Sequence, residues 1–290
     1  MQATLRSNPG ASANAIEHHY DAHPEFWRVW LGATMVYSCA LFEDGDTLDR
    51  GQERKLDYHI AQARAAGAAR VLDVGCGWGA ILKRLVTEHH AKQVVGITLS
   101  GAQAEYVRSL GLKGAEVRVE SWSEHAPSAP YDAIISLGAF EHFAKPGRTR
   151  AEKVAGYRSF FEACHSWLVS DGRLALQTIA YGNMRPEHQS RFLMTDVYPE
   201  SELPTISEIA DACNGLFEVV SLRNDRADYT RTCREWLALL EENRKRAVDV
   251  VGEAVVARYE KYLKLCVVGF HLGNTYLLRW AFRRIDRSRV

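Results

Sequence analysis

The chain has 290 residues, with 36 basic and 36 acidic side chains, 47% hydrophobic residues and a pI near 7.2. A neutral balance argues against a nucleic-acid scaffold, and the apolar share supports a substantial core in one large or two small domains. Six scattered cysteines without a Cys-x-x-Cys pair argue against a metal site or disulfide framework and for a reducing cytoplasm. No run of 18 apolar residues and no apolar leader is present, so neither a membrane span nor a secretory signal is expected.

Residues 1–14 are small and polar and read as a flexible lead-in to one domain over 15–290. Phe26, Val29 and Trp30 share one face of a helix. Residues 34–43 form an apolar segment around Tyr37-Ser38-Cys39. Residues 47–66 read as a helix with Asp49, Arg50, Glu53, Arg54 and Lys55 arrayed around apolar Leu48, Leu56 and Ile60. Then Val71-Leu72-Asp73-Val74-Gly75-Cys76-Gly77-Trp78-Gly79-Ala80 runs from apolar strand through glycine turn into a helix. Further strands are expected at 93–97, 116–119, 133–136, 173–178, 217–222 and 276–283, with helices at 81–86, 102–110, 153–168 and 208–213. Alternating strands and helices imply a doubly wound, mostly parallel, Rossmann-like α/β sheet of seven strands. Its ligand belongs at the C-terminal strand ends. Helical segments at about 15–66, 181–204 and 228–270 are extra to that unit and suit a cap over the active site.

The glycine turn permits close backbone approach and aims free N–H groups at a nucleoside or carboxylate. Its Gly-x-Gly-x-Gly spacing is not the dinucleotide fingerprint, and the stretch after the second strand, Val95 to Ser100, carries no acidic residue for a nicotinamide ribose. Glu141-His142 follows the fourth expected strand. A carboxylate there can accept a proton or stabilise positive charge, or merely favour a helix N-terminus. Arg279, Arg283, Arg284, Arg287 and Arg289 crowd the chain end, as a solvated tail or as contacts to an anionic membrane surface.

The succession His19-Tyr20-Asp21, Tyr37-Ser38-Cys39-Ala40-x-Phe42, Leu72-Asp73-Val74-Gly75-Cys76-Gly77-Trp78-Gly79, Gly96-Ile97-Thr98-Leu99-Ser100-x-x-Gln103 and Gly138-Ala139-Phe140-Glu141-His142-Phe143 resembles the cyclopropane fatty acid synthase and mycolic acid cyclopropane synthase family of S-adenosylmethionine (SAM)-dependent methyltransferases. The resemblance extends over roughly 15–285. It implies that Leu72, Asp73, Gly75, Cys76, Gly77, Trp78, Gly79 and Ala80 line the methionine and ribose of SAM. Tyr37 and Ser38 would close over the carboxylate, Thr98, Leu99, Ser100 and Gln103 would lie near the ribose, and Trp122 and Ser123 would flank the adenine.

The resemblance further implies an alkene attacking the SAM methyl, a carbocation shielded by aromatic faces, and a bicarbonate ion as base. Tyr20, Phe26, Trp30, Phe140, Tyr229 and Trp236 are candidate faces. Cys39, Glu141, Ile179 and Tyr229 match the family's anion-holding residues, and Glu141, His142, Tyr229, Cys39, Gln177 and Tyr20 form the expected catalytic set. Three departures stand out. Gln177 occupies the place of a family His, and glutamine can hydrogen-bond an anion but cannot shuttle a proton. Asp228 replaces a His before Tyr229, and Pro199-Glu200-Ser201 replaces Pro-Gly-Gly. Two substrate classes follow: a lipid acyl chain, or a soluble specialised metabolite methylated on carbon or nitrogen. A non-catalytic SAM-binding regulator is the remote alternative.

Overall fold

The computed structural model describes residues 10–12 and 23–287. Its elements alternate as the sequence implies. After α1 (Pro24–Leu31) and α2 (Leu48–Gln62) come β1 (Arg70–Val74), α3 (Ala80–Thr87), β2 (Gln93–Thr98), α4 (Gly101–Ser109), β3 (Ala115–Val119) and β4 (Tyr131–Leu137). The second half carries α5 (Arg150–Trp167), β5 (Leu168–Tyr181), α6 (Ile206–Cys213), β6 (Phe217–Asn224), α7 (Arg226–Glu242), α8 (Arg244–Val251), α9 (Glu253–Leu272) and β7 (Thr275–Arg284). The seven strands form one sheet in the order β3-β2-β1-β4-β5-β7-β6. β7 is antiparallel to both neighbours, and the β1–β5 pairings are parallel.

Alternate residues of each strand face opposite ways, and the sheet has a core on each side. Leu72, Val95, Ile134, Leu174 and Trp280 pack with Phe160, Phe161 and Trp167 of α5. Val71, Val94, Ile135 and Ala175 pack with Ile60 of α2, Leu82 of α3 and Val107 of α4. Capping boxes start α5 (Thr149 with Glu152) and α6 (Thr205 with Glu208), satisfying backbone donors that the first helical turn leaves free.

A third core lies over the strand ends. Phe26, Trp27 and Trp30 of α1 meet Trp236 of α7 and Tyr259 of α9. The Phe26 and Tyr259 rings are 5.0 Å apart, and those of Trp30 and Trp236 are 5.7 Å apart at 83°, an edge-to-face geometry favoured by the ring quadrupoles. Strand order reverses between β1 and β4, so the crevice above these two strands is where a ligand is expected. Gly75 after β1 is required there: its φ is +78°, and a Cβ would stand 2.5 Å from the Ala139 Cβ beyond β4.

Candidate active site

Two adjoining cavities open at that crevice. The larger, about 1050 Å³, is lined by Tyr37, Ser38, Gly75, Cys76, Gly77, Trp78, Ala80, Thr98, Leu99, Gln103 and Trp122, and also by Lys55, Glu120, Gly138 and His142. The smaller, about 640 Å³, is lined by Glu141, Gln177, Ile179, Leu193, Met194, Tyr198 and Tyr229, and it shares Tyr37, Ser38, Gly138 and His142 with the first. A molecule in one therefore meets a molecule in the other across Tyr37, Ser38 and Gly138.

The first cavity suits SAM in shape and chemistry. A Cβ on Gly77 would project into open space, with no atom within 4 Å, so the backbone there is bare toward the ligand. Thr98 Oγ1 donates to Gln103 Oε1 at 2.7 Å, which leaves the Gln103 amide N–H groups as donors. Trp122, packed edge-on against Phe160, offers a flat apolar wall for a base.

Five residues expected on the cofactor stand off the cavity for local reasons. Leu72 is wholly buried in the sheet core. Asp73 is 2% exposed, and burial pushes its carboxyl up to about 7. Gly79 caps α3 in the left-handed region, where a Cβ would meet Val107 Cγ2 at 2.8 Å. Ser100 is the N-cap of α4, its Oγ accepting from Gln103 N. Ser123 closes a turn by bonding Ser121. These positions shape the cavity rather than line it.

The second cavity is built by the turn after β4, by β5, α7 and the 181–204 segment, with Leu277 of β7. Glu141 lies in a short 3₁₀ turn after β4. Its Oε1 accepts from the Ile179 backbone N–H at 2.6 Å, whereas its buried Oε2 has no hydrogen-bond partner among the described residues. Burial, only partly offset by that amide, raises its pKa to about 7, the range of an acid–base group at neutral pH. Burial likewise lowers His142 to about 4, so its imidazole is neutral; Nδ1 lies 2.6 Å from Ser201 Oγ. Tyr229 stacks on Phe270 with centroids 4.3 Å apart, and Tyr198 OH bonds Tyr262 OH at 2.7 Å.

Other expected catalytic residues are placed elsewhere. Tyr20 lies outside the described residues. Cys39 is buried behind the second cavity rather than lining it: its Sγ donates to Ala40 O at 3.0 Å, and desolvation raises the thiol to about 12. Phe26, Trp30 and Trp236 are fully buried in the cap core. Phe140 stacks on Tyr157 in the sheet core, 4.6 Å between centroids. Of the candidate aromatic faces among the described residues, Tyr229 reaches the cavity, joined by Tyr37 and Tyr198.

Two buried cations were not anticipated. Arg279, expected in a solvated tail, is 0% exposed. It stands opposite Gln177 in the β5–β7 register, and its guanidinium bonds Gln177 Oε1, Asp225 Oδ2 at 2.8 Å, Ala40 O at 2.8 Å and His59 Nε2 at 3.1 Å. An arginine has no acceptor, so it fixes the Gln177 amide with oxygen inward. Lys55, expected on the charged face of α2, is also 0% exposed and lines the first cavity. The signal was available: Leu48, Gln52, Lys55 and His59 recur at helical spacing and share one buried face.

The family model described as mycolic acid cyclopropane synthetase matches residues 8–280. Cyclopropane mycolic acid synthase 1 of Mycobacterium tuberculosis is 34% identical over 278 residues, 89% of this chain and 92% of that protein. Cyclopropane mycolic acid synthase 3 of the same species is 32% identical over 279 residues, 90% and 93% of the two chains. Among solved structures, mycolic acid cyclopropane synthase CmaA1 complexed with SAH and CTAB superposes with a TM-score of 0.84 at 31% identity, covering 95% of this chain and 99% of that one. Coclaurine N-methyltransferase, at 22% identity and a TM-score of 0.78 over 97% and 85% of the two chains, shares the fold. By the family match over nearly the whole chain and by these relatives, the chain belongs to the mycolic acid cyclopropane synthetase family and is a SAM-dependent methyltransferase.

Proposed function

We propose that this enzyme transfers the SAM methyl to an alkene, or to another electron-rich carbon, of a lipid or lipid-like substrate held in the second cavity. The observation that carries this reading is the Glu141 carboxyl, with one oxygen unpartnered, in a cavity whose other walls include the rings of Tyr37, Tyr198 and Tyr229 and the apolar Leu193, Met194 and Leu277. SAM supplies an electrophilic methyl. The alkene π pair forms the new carbon–carbon bond, the S–CH₃ bonding pair stays on sulfur, and the substrate becomes a carbocation. Ring faces and a carboxylate stabilise such a cation without a strong competing nucleophile. Loss of a proton from the new methyl to a base closes a cyclopropane. When Glu141 is protonated, the donor set of Gln177, Tyr229 and Glu141 is compatible with a bicarbonate ion, which would then supply the negative charge in place of the carboxylate, and the base.

A second reading, methylation of a nitrogen or carbon of a soluble metabolite, is favoured by Gln177: tied by Arg279, it has no proton to shuttle. The enzyme is incubated with methyl-labelled SAM and, separately, lipid and small-molecule extracts, with and without bicarbonate, and products are read by mass spectrometry. A labelled lipid of one added CH₂ unit, formed faster with bicarbonate, supports cyclopropanation. A labelled small polar product formed at a bicarbonate-independent rate overturns it in favour of the second reading.

A further inference from the structure

Lys55 is a fully buried amine with no carboxylate partner among the described residues. Its Nζ donates to Ser38 Oγ at 2.8 Å, and among the described residues no carboxylate forms an ion pair with it, Asp73 being the acidic group whose charge acts on it. An unpaired buried ammonium is costly unless something compensates it, and Lys55 forms part of the wall of the cofactor cavity.

We infer that Lys55 is a cofactor-binding residue that, together with the Ser38 hydroxyl it orients, holds the α-carboxylate of SAM at the end of the cavity nearest the second compartment.

The argument is one of charge and connectivity. SAM has a single anionic group, the carboxylate. Among the described residues lining the first cavity, Lys55 is the one lysine or arginine. His142 is held neutral by burial. Glu120, the acidic lining residue, is 2.6 Å from His125 Nδ1 and adjoins Ser121 and Trp122, the wall that suits the base. The methyl has to leave toward the second cavity, whose shared wall is Tyr37, Ser38, Gly138 and His142. Sulfur bears both methyl and amino-acid arm, so that arm starts at the same wall, beside Lys55. Because Lys55 donates to Ser38 Oγ, the Ser38 O–H is left to donate in turn, and Ser38 faces both cavities. Burial and the nearby Arg279 charge lower the Lys55 pKa to about 7; a bound carboxylate opposes that shift and restores the charged form.

The test compares two ligands that differ in the amino-acid arm. S-adenosylhomocysteine has the carboxylate; 5′-methylthioadenosine keeps adenine, ribose and sulfur but lacks the arm. Both are titrated calorimetrically into wild type, Lys55→Met, Lys55→Gln and Ser38→Ala. Loss of a charge-assisted contact predicts about 10- to 100-fold weaker S-adenosylhomocysteine binding in the Lys55 variants, a smaller loss in Ser38→Ala, and 5′-methylthioadenosine affinity within about twofold of wild type throughout. Equal losses for the two ligands reduce Lys55 to a structural residue and overturn the inference, as does unchanged affinity for both. Where a Lys55 variant fails to fold, Ser38→Ala decides by the same criterion.

Discussion

The two cavities share a wall but are built in opposite ways. The first is made largely from consecutive stretches: residues 74–81 around the glycine turn, Gly79 excepted, 97–99 at the end of β2 and 120–122 after β3. Much of its specificity is backbone, exposed by glycines. The second draws Glu141 from the turn after β4, Gln177 and Ile179 from β5, Leu193 to Ser201 from the connecting segment and Tyr229 from α7. Its chemistry lies in side chains whose neighbours are distant in sequence. A change in the first cavity is therefore expected to act on cofactor affinity, and a change in the second on rate.

The largest effect should come from Gly77→Val. Gly77 lines the first cavity and its Cβ direction is clear of protein atoms, so a valine side chain there is expected to intrude on the space a bound cofactor would take. Its φ of +52° also penalises a β-branched residue. SAM affinity should fall by on the order of 100-fold or more, with the folded state checked by its thermal transition. Calorimetry giving wild-type affinity in a folded variant would break the division between the two cavities at its clearest point.

Glu141→Gln tests the other side. The amide keeps the shape and can still accept from Ile179 N–H, but it has no charge to stabilise a cation. Turnover should drop by on the order of 10²–10³, with S-adenosylhomocysteine affinity unchanged. The same substitution carries a stability signature. The folded pKa is raised from 4.5 to about 7, so the native protein holds a proton that the unfolded chain has already lost. Native stability from this group thus decreases as pH rises through that window. Glutamine lacks the titration, so the variant-minus-wild-type stability should climb between those pH values and level off above about 7, by on the order of 1–3 kcal/mol. Asp73 is shifted the same way but is present in both proteins and cancels in the difference. A flat difference curve from denaturant titrations would mean that Glu141 ionises over the same pH range in the folded and the unfolded chain.

Legibility followed the same division. The strand–glycine–helix unit, the alternation of strands and helices, and the order of motifs are local patterns; they gave the sheet, and most of the residues they pointed to line the first cavity. Within 72–80, though, sequence proximity alone did not separate Leu72 and Gly79, which face packing, from Gly77 and Trp78, which face the cavity. The cap was harder to resolve by residue because aromatic spacing is the same for a core and for a pocket wall: Trp30 and Trp236 fill the core, while Tyr198, in the 181–204 segment expected to cap the active site but not singled out within it, lines the cavity. Charged residues were the hardest. Lys55 and Arg279 look like surface residues by type, and only the helical period of α2 and the alternation of β7 turn them inward. Arg279 is held by partners more than a hundred residues away, His59, Cys39 and Ala40 among them, and no local pattern encodes such a network.

The smallest effect is expected at Cys39, and it sharpens where the second cavity ends. The thiol sits one residue from Ser38, which lines both cavities, yet it points into the buried layer between the aromatic cap and β7. Its Sγ donates to Ala40 O, and Arg279 Nη2 stands 3.5 Å from it. With its pKa raised to about 12 by burial, it stays protonated across the neutral range and is neither a base nor a nucleophile. Cys39→Ala removes one weak partner of a guanidinium that keeps Gln177, Asp225, His59 and Ala40, and leaves a small void. The variant should lose about 1–2 kcal/mol of stability from the lost packing. Its turnover at a temperature where it remains folded should stay within about twofold of wild type, because the Arg279 hold on Gln177 is intact and the cavity wall is unchanged. If turnover instead falls with stability unaffected, the thiol reaches the reacting substrate, and the boundary of the second cavity must be redrawn to include the far side of the Tyr37–Ser38–Cys39 segment.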